Sequence, residues 1–262
     1  MAEAAPARAT AKGTLPEGAQ NEGDASRKLR EMFTEIAPHY DFLNHLLSLQ
    51  LDRAWRARTA RRLRPILASG DARVLDLCCG TGDLAFALAR SGSARVMGAD
   101  FSHAMLVRAN TKKQARTQRN RVEGGAPIPF FEADALRLPF ADGSLDVVTT
   151  AFGFRNLANY QGGLQEIRRV LKPGGTLAIL EFTEPPPGWA GNLYRWYCRT
   201  VLPKIGGLLS GNSKAYKYLP ASVARFFHPG ELASLMGAVG FERVEYQLWT
   251  LGSVALHTGI RL

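Results

Sequence analysis

The segment VLDLCCGTGDLAFALA, residues 74–89, constrains the fold of this chain most strongly. Its first half is an apolar run typical of a buried strand, and its second half has the composition of a helix. Gly80 and Gly82 lie between the two, and glycine permits both a tight turn and a close approach of backbone N–H groups to a ligand. The segment therefore predicts a ligand site of the kind that α/β sheets build for nucleotides.

Strands and helices alternate along the chain after this point. The predicted strands cover residues 73–79, 95–101, 128–135, 144–153 and 176–182, and the helices between them cover 83–92, 102–119 and 160–171. Such alternation is typical of βαβ units and a parallel, doubly wound sheet. Residues 243–262 differ, because two alternating stretches flank a Leu-Gly-Ser turn and predict an antiparallel hairpin.

Two helices are predicted ahead of the sheet. The first runs from Ser26 and stops at Pro38. The second, over residues 51–68, is predicted to turn inward the apolar side chains of Leu51, Trp55, Leu63 and Ile66. Its other face carries a row of arginines, namely Arg53, Arg56, Arg58, Arg61, Arg62 and Arg64. A solvated helix face and a contact with anionic lipid headgroups both explain this row.

The domain organisation follows from these elements. Residues 1–24 are predicted to be a disordered tail, and residues 25–262 a single domain that begins with the N-terminal helices over 25–70. Within 184–228 the alternation lapses into an aromatic, glycine-rich and basic stretch, which we call the lid segment. Insertions at the carboxyl edge of such sheets usually shape substrate pockets, so the lid segment is predicted to cover the substrate.

The net charge of +10, from 33 Lys and Arg against 23 Asp and Glu, indicates acidic partners: nucleic acid, an anionic membrane surface or a phosphorylated ligand. Three cysteines, two of them adjacent, provide neither a disulfide framework nor zinc spacing, so no metal is expected and a reducing cytoplasm is the simplest setting. No apolar run approaches the roughly 18 residues of a spanning helix. The N-terminus lacks the apolar region of a secretory signal.

Acidic residues lie at three strands of the predicted sheet. Asp100 ends the second strand, where a carboxylate can hold ribose hydroxyls, a feature shared by NAD sites and S-adenosylmethionine sites. Asp76 lies in the first strand, four residues before Gly80, and Asp134 ends the third, where it could accept from an adenine amino group. With the hairpin and the LKPGG segment (171–175), this combination resembles class I S-adenosylmethionine-dependent methyltransferases.

Two longer motifs sharpen the resemblance. HYDFLNHLLSLQLDRAWR (39–56) and RRVLKPGGTLAILEFTEP (168–185) resemble the two signatures of the ubiquinone/menaquinone biosynthesis C-methyltransferase family. GFRN (153–156) and the AYKYLPASVARFFHPGEL region are also similar, and the resemblance extends from about residue 27 to the C-terminus. It implies a seven-stranded sheet, mostly parallel, with an antiparallel C-terminal hairpin.

The resemblance also implies a reaction. A family member methylates a ring carbon of a prenylated quinol with S-adenosylmethionine, here demethylmenaquinol to menaquinol in menaquinone biosynthesis. Benzoquinol methylation in ubiquinone biosynthesis, or action on both quinols, stays open. The cofactor-binding positions expected from the motifs are Asp76, Gly80, Thr81, Gly82, Asp100, Asp134 and Ala135, and the expected substrate contacts are Tyr40, Asn44 and Tyr216.

The chain departs from the family pattern at three positions. Asp52 stands where the first signature usually has histidine, which puts a role for that position in doubt. Thr183 replaces a serine but keeps the hydroxyl, and Ala151 replaces a serine that often contacts the cofactor. No side-chain contact is expected from residue 151.

Arg155 and Asn156 are the expected catalytic residues, an assignment that the resemblance supports. A ring carbon is a poor nucleophile until the neighbouring hydroxyl loses its proton, and a guanidinium can stabilise the resulting phenolate and orient a water that takes the proton. Arginine stays protonated, so it is a poor direct base. Asn156 could hold the hydroxyl or that water. The alternative is a strand-end ion pair at Arg155 with Asn156 as a cap.

Other functions compete with this interpretation. The positive charge suggests an RNA methyltransferase, but an apolar, aromatic lid segment suits a lipid better, so no nucleic-acid partner is expected. The glycine loop also fits an NAD-dependent oxidoreductase, and a noncatalytic scaffold would not need an intact cofactor loop. A prenylated substrate implies peripheral contact with the inner face of the membrane, and a homo-oligomer stays open.

Overall fold

The computed structural model describes residues 13–16, 18–41, 44, 48, 50–120, 128–185 and 221–262, together with positions 188, 191, 196 and 200. Most of the predicted lid segment, including Tyr216, lies outside these residues. Among the residues described, no helix has both the length and the apolar character needed to cross a bilayer. The same ranges hold no cluster of three His, Cys, Asp or Glu side chains that could bind a metal ion.

Six helices and seven strands have both ends among the described residues. The helices are α1 (Glu22–Ile36), α2 (Leu51–Leu67), α3 (Asp83–Ala89), α4 (His103–Asn120), α5 (Tyr160–Val170) and α6 (Pro229–Val239). The strands are β1 (Arg73–Leu77), β2 (Arg95–Asp100), β3 (Phe130–Glu132), β4 (Leu145–Ala151), β5 (Leu171–Phe182), β6 (Phe241–Trp249) and β7 (Val254–Arg261). Short 3₁₀ turns cover Ala37–His39, Phe154–Asn156 and Thr250–Gly252.

The strands form one sheet in the order β3-β2-β1-β4-β5-β7-β6. β1 to β5 run parallel, whereas β7 is antiparallel to both β5 and β6. The predicted doubly wound sheet with an antiparallel C-terminal hairpin is therefore confirmed. The chain leaves β1 towards β2 on one side and returns through β4 on the other, so the switch point lies between β1 and β4, where such sheets bind ligands.

The sheet is covered on both faces, which explains why its parallel strands are almost continuously apolar. Val147 on β4 packs on the same side as Trp55 and Leu63 of α2. Its neighbour Val148 packs on the other side with Leu164 of α5 and Met236 of α6. Successive side chains of a strand point to opposite faces, so β4 connects the two cores.

Part of the predicted tail has a defined conformation in the structure. α1 begins at Glu22, because the Asn21 side chain accepts a hydrogen bond from the Asp24 N–H at 2.9 Å and caps the helix. Further upstream, the Thr14 N–H donates to the Leu157 carbonyl at 2.8 Å. Residues 1–12 and 17 lie outside the described part, so the prediction is not tested there.

The predicted faces of α2 need two corrections. Leu51, predicted to point inward, is 38% exposed. Arg56, predicted to lie in the outer arginine row, is buried and pairs with Asp52, one turn earlier on the same helix. An apolar-against-charged pattern assigns Arg56 to solvent, but a buried carboxylate at i−4 supplies the counterion that burial requires.

Candidate functional site

A cleft of about 700 Å³ opens at the carboxyl edge of the sheet, beside the switch point. The ends of β1, β2 and β4 and the loops after them form its floor. Its lining includes Gly80, Asp100, Asp134, Ala135, Phe152 and Asn156. Ser26 and Phe33 of α1 and Tyr40 also line it, so the N-terminal segment forms one wall. The sequence motifs did not indicate the contribution of α1.

The glycine loop after β1 adopts the predicted tight turn. Gly80 and Gly82 have φ of 54° and 84°, in the left-handed region that glycine tolerates without strain. A Cβ atom on Gly82 would lie 2.8 Å from the Phe130 ring, so a side chain does not fit there. Cys78 reaches φ 54° without being glycine, and such strain concentrates at ligand sites. The loop thus exposes its backbone to the cleft.

Asp100 fastens this loop to the end of β2. Its Oδ2 atom accepts from the Gly80 N–H at 2.8 Å, and Oδ1 accepts from the Ser102 N–H at 2.9 Å. Burial raises the pKa of Asp100 to about 6, although the backbone N–H donors oppose the shift. A carboxylate has about four acceptor positions, so Asp100 keeps capacity for hydroxyl donors in the cleft.

Asp76 lies in the middle of β1, between Gly98 of β2 and Thr149 of β4. Its Oδ1 accepts from the Thr149 hydroxyl at 3.0 Å, whereas its buried Oδ2 has no hydrogen-bond partner among the described residues. Burial raises the pKa of Asp76 to about 7. A buried acceptor without such a partner fits a cationic donor from a bound ligand.

Asp76 faces a smaller pocket of about 290 Å³, which Thr81 and Asp83 also line. Tyr40 and Cys78 line both this pocket and the larger cleft, so the two are neighbours. The predicted cofactor residues are therefore distributed over two adjoining spaces.

Asp134 and Ala135 lie beyond the end of β3 and line the larger cleft. Asp134 is exposed, and its Oδ1 accepts from the Leu136 N–H at 2.9 Å, which holds the carboxylate at the cleft. A bridge between Asp134 and Arg137 closes the turn.

The Thr81 hydroxyl belongs to a polar cluster that we call the Lys112 clasp. Thr81 donates to Asp41 at 2.6 Å and accepts from Lys112 Nζ at 2.8 Å. The same ammonium contacts Asp41 at 2.8 Å and Asp83 at 2.9 Å. Burial would raise the pKa of Asp83, but the charges of Lys112 and Arg56 outweigh it and hold that pKa below its usual value. The clasp connects the N-terminal segment to the glycine loop.

Lys112 was not among the predicted site residues. It lies on α4 in a stretch rich in basic residues, and no local pattern separates it from its solvated neighbours. Asp83 carried a weak signal, because it directly follows the glycine loop at the start of α3, where acids are favoured.

Asp52, the position that departs from the family pattern, is a structural residue in this chain. Its carboxylate accepts from the Ser48 hydroxyl at 2.8 Å and pairs with Arg56. Arg56 also lies 3.9 Å from Asp83, next to the clasp. The second departure, Thr183, uses its retained hydroxyl to donate to the Gly252 carbonyl at 2.5 Å.

Arg155 lies in the 3₁₀ turn after β4, buried rather than reaching solvent. Its Nη1 donates to Glu181 Oε1 at 2.8 Å and to the Phe152 carbonyl at 2.5 Å. Its Nε donates to the Ser222 hydroxyl at 3.3 Å. The structure thus describes the strand-end ion pair that the sequence left open as the alternative role. Glu181 is fully buried on β5, and its position inside the apolar run TLAILEF (176–182) is the sequence feature that indicates a buried partner.

The neighbours of Arg155 bring the GFRN turn against the glycine loop. A Cβ atom on Gly153 would lie 2.4 Å from the Cβ of Cys78, so only glycine permits this approach. Asn156 is half-buried and lines the larger cleft. Of the two predicted catalytic residues, Asn156 therefore lines the cleft, and Arg155 lies in the ion pair beside it.

Two of the three predicted substrate residues meet. Tyr40 forms a side-chain hydrogen bond with Asn44, and its ring lies 3.5 Å from where a Cβ of Gly80 would be. Burial raises the pKa of the Tyr40 hydroxyl, so it stays protonated at neutral pH. The third, Tyr216, lies outside the described residues.

An apolar wall completes the site. Phe152 lines the cleft at φ 60°, and its ring lies 4.4 Å from that of Phe182 and 6.0 Å from Trp55, centroid to centroid. The glycine loop, three carboxylates and this wall fit S-adenosylmethionine, a ligand with ribose hydroxyls, an adenine amino group and cationic groups.

Comparison with known proteins shows which family this chain resembles. Residues 21–261 match the family described as the ubiE/COQ5 methyltransferase family. The chain is 50% identical to a demethylmenaquinone methyltransferase of Thermus thermophilus, over 88% of this chain and 100% of that protein. Identity is 45% with the Deinococcus radiodurans enzyme of the same name, over 95% and 98% of the two chains. It is 40% with a ubiquinone/menaquinone biosynthesis C-methyltransferase UbiE of Geotalea daltonii, over 90% and 97%.

Solved structures share the fold at low sequence identity. A methyltransferase dependent on S-adenosylmethionine from Aquifex aeolicus superposes with a TM-score of 0.55 at 18% identity, covering 77% of this chain and 88% of that one. Another from Thermotoga maritima has a TM-score of 0.56 at 19% identity, covering 88% and 100%. These likenesses confirm the class I methyltransferase fold.

Proposed function

The chain belongs to the ubiE/COQ5 methyltransferase family, and we propose that it methylates a ring carbon of prenylated demethylmenaquinol to give menaquinol. It is a C-methyltransferase that uses S-adenosylmethionine. The observation that carries the choice of quinol is the 50% identity, over the whole length of the relative, to a protein named demethylmenaquinone methyltransferase. More distant relatives carry a name that covers ubiquinone as well, so a benzoquinol is the second candidate.

S-adenosylmethionine supplies a methyl group activated by a neighbouring positive sulfur. We propose that Asp100 holds ribose hydroxyls, that Asp134 and Ala135 meet the adenine, and that Gly80 and Gly82 let the cofactor approach the loop backbone closely. The Oδ2 of Asp76 has no hydrogen-bond partner within 3.5 Å among the described residues, although the Ala85 backbone N–H also acts on this carboxyl, and it is suited to a cationic group. The Thr81 side chain is engaged by the Lys112 clasp, so its proposed part is to hold the loop in shape.

The quinol needs an apolar slot and a group that favours the phenolate. Phe152 and Phe182 provide an apolar surface next to the cofactor cleft, suited to a fused aromatic ring. Asn156 lines the cleft and is the proposed hydrogen-bond partner of the quinol hydroxyl or of a water that takes its proton.

We propose that Arg155 stabilises the phenolate while Glu181 holds it in place. The buried carboxylate neutralises much of the guanidinium charge, which weakens Arg155 as a lone electrostatic stabiliser. In compensation, the ion pair fixes the guanidinium beside Asn156 and keeps it from relaxing during the reaction. The lid segment, residues 184–228, is proposed to cover the ring and exclude water.

The test is turnover. Purified protein with S-adenosylmethionine and a reduced demethylmenaquinone analogue is expected to yield the ring-methylated quinol, detected by mass spectrometry. Gly82→Val, which removes space for Phe130, is the matched inactive control. Absence of product with several prenyl lengths under reducing conditions would contradict the assignment.

Competition between demethylmenaquinol and the demethylated benzoquinol in one reaction decides the substrate. The ratio of the two kcat/KM values measures the preference directly. A thermal shift with S-adenosylhomocysteine but none with NAD or RNA is expected in parallel, since ligand binding to the folded state raises Tm.

A further inference from the structure

The tip of the β6–β7 hairpin has an unusual backbone. Thr250, Leu251 and Gly252 are three consecutive residues with positive φ, of 49°, 56° and 82°. Glycine adopts this region without strain, but a leucine side chain is disfavoured there. Leu251 is also 73% exposed, so its side chain gains no compensating burial within the described part of the protein.

Hydrogen bonds hold the tip in this conformation. Trp55 Nε1 of α2 donates to the Thr250 hydroxyl at 2.9 Å. The Ser253 hydroxyl donates to the Thr250 carbonyl at 2.8 Å, and the Thr183 hydroxyl donates to the Gly252 carbonyl at 2.5 Å. Both neighbours of Leu251 are therefore fastened to the body of the protein, and its side chain is presented outward on a rigid turn.

The tip lies at the same edge of the sheet as the cleft. Phe182, the last residue of β5, pairs with Val254, the first residue of β7. The parallel strands bind ligands at their carboxyl ends, and the hairpin turns at that same level. Phe182, which packs on the cleft residue Phe152, thus connects the cleft to the hairpin through one strand pair.

Other exposed apolar groups and a cation lie on the elements next to the tip. Leu248 on β6 is 50% exposed, and Leu51 is 38% exposed one turn before Trp55 on α2. The Arg58 guanidinium, also on α2, lies 4.7 Å from the centre of the Trp249 ring. We call Leu51, Leu248, Leu251 and Arg58 the tip surface. Apolar side chains flanked by arginine match the boundary between acyl chains and anionic headgroups.

We propose that the tip surface docks on a bilayer containing anionic lipid, with the Leu251 side chain inserted at the level of the headgroups. The net charge of +10 favours such a surface over a neutral one. The purpose rests on the proposed function: docking at the cleft edge would bring a prenylated ring to the site while its tail stays in the bilayer. Docking itself is measured without substrate, so the two proposals fail separately.

The experiment is sedimentation of the full chain with vesicles of phosphatidylcholine alone or mixed with phosphatidylglycerol. Leu251→Asn is the test variant, because asparagine tolerates the left-handed conformation and should preserve folding. Leu262→Asn is the matched control: Leu262 is 63% exposed but follows β7 at the opposite edge of the sheet. We expect wild type and Leu262→Asn to bind the mixed vesicles, and Leu251→Asn to bind about ten-fold more weakly.

Activity gives a second measure. Leu251→Asn should keep its kcat on a short-chain quinol analogue in solution and lose rate on a long-prenyl quinol embedded in the mixed vesicles. Equal vesicle binding by Leu251→Asn and wild type would overturn the proposal. So would equal loss in both leucine variants, equal binding to neutral vesicles, or a dimer that only Leu251→Asn dissociates.

Discussion

Arg155 and Glu181 form a buried ion pair, with 2.8 Å between Nη1 and Oε1, directly beside the cleft residue Asn156. Glu181 also accepts from the backbone N–H of Arg155 at 3.1 Å and of Phe182 at 2.9 Å. The carboxylate therefore connects the turn after β4 to the end of β5. The residues next to this carboxylate depend on the connection for their positions, because β4 and β5 both end at the site.

Glu181→Gln is expected to destabilise the fold. The substitution leaves the Arg155 guanidinium buried without a counterion, a loss that amounts to about 3 kcal/mol when one partner of a buried pair is removed. Urea unfolding measures it, and Glu166→Gln, whose partner Arg169 is partly exposed, is the control with a smaller effect. A loss no greater than the control's would mean that water reaches the pair.

Arg155→Lys distinguishes a catalytic role of Arg155 from a role in binding the cofactor. Lysine keeps the charge but not the planar fork that contacts Glu181, Ser222 and Phe152 together. We expect kcat to fall by about 100-fold, as when one stabilising donor is lost, with the Kd for S-adenosylhomocysteine near that of wild type. Stopped assays and calorimetry give the two numbers. A comparable fall in cofactor affinity would assign Arg155 to the cofactor pocket instead.

Cofactor affinity should rise with pH. Asp76 in the cofactor-free protein has a pKa of about 7, so below that pH its carboxyl is mostly protonated and binds a cationic ligand poorly. Between pH 6 and pH 8 the ionised fraction increases about ten-fold, and affinity should follow. Calorimetry with S-adenosylmethionine at the two pH values tests this. The same pH dependence in Asp76→Asn would rule out Asp76 as the responsible group.

Stability should fall in acid because of His257. Its Nε2 donates to the Pro229 carbonyl at 2.9 Å, and burial lowers its pKa to about 4. The unfolded chain takes up this proton near pH 6.5, whereas the folded chain does so only near pH 4, so stability is lost as pH falls through that window. The loss approaches about 3 kcal/mol at pH 4.

The His257 contribution is the difference between wild type and His257→Gln in urea unfolding over that pH range. The comparison is necessary because the raised pKa of Asp76 acts in the opposite sense: its protonated form is favoured in the folded state, which stabilises the protein as pH falls. Parallel pH profiles for the two proteins would show that His257 does not titrate differently on unfolding.

Lys112→Ala is expected to loosen the wall that α1 and Tyr40 form. Without the ammonium, Asp41 and Asp83 lose their shared cation and the N-terminal segment loses its connection to the glycine loop. The KM for S-adenosylmethionine should rise about ten-fold, the equivalent of one charged hydrogen bond, with kcat at saturation little changed. Lys172→Ala removes an ion pair with Asp146 at the opposite sheet edge and is the control. A fall in kcat with no change in KM would contradict the proposed role of the Lys112 clasp in cofactor binding.

Features encoded locally could be predicted from the sequence. The strand, glycine loop and helix at residues 74–89 are contiguous, and Asp76, Asp100 and Asp134 reach one sheet edge because parallel strands all end there. The family resemblance is likewise confirmed by the match over residues 21–261. The roles of individual site residues stay predictions.

Features that depend on long-range partners could not be predicted. Lys112 contacts Asp41, which lies 71 positions earlier in the chain, and the sequence around either residue gives no indication of this contact. The apolar periodicity of α2 placed Arg56 on the solvent face because Arg56 is charged. The pattern gives no information about the buried Asp52 with which Arg56 pairs. The contact of Thr14 with the GFRN turn is likewise long-range, so the polar residues around Thr14 did not indicate it.

The contacts of Thr14 also bear on shortening the protein. Its hydroxyl donates to the Arg155 carbonyl at 2.6 Å, and the Tyr160 hydroxyl donates to the same oxygen at 2.9 Å. A version trimmed to residue 25 would lose this hydrogen bond together with the Asn21 cap of α1. Kinetic comparisons of Arg155 among family members therefore require the residues before position 25, since trimming them removes a hydrogen bond to the Arg155 backbone.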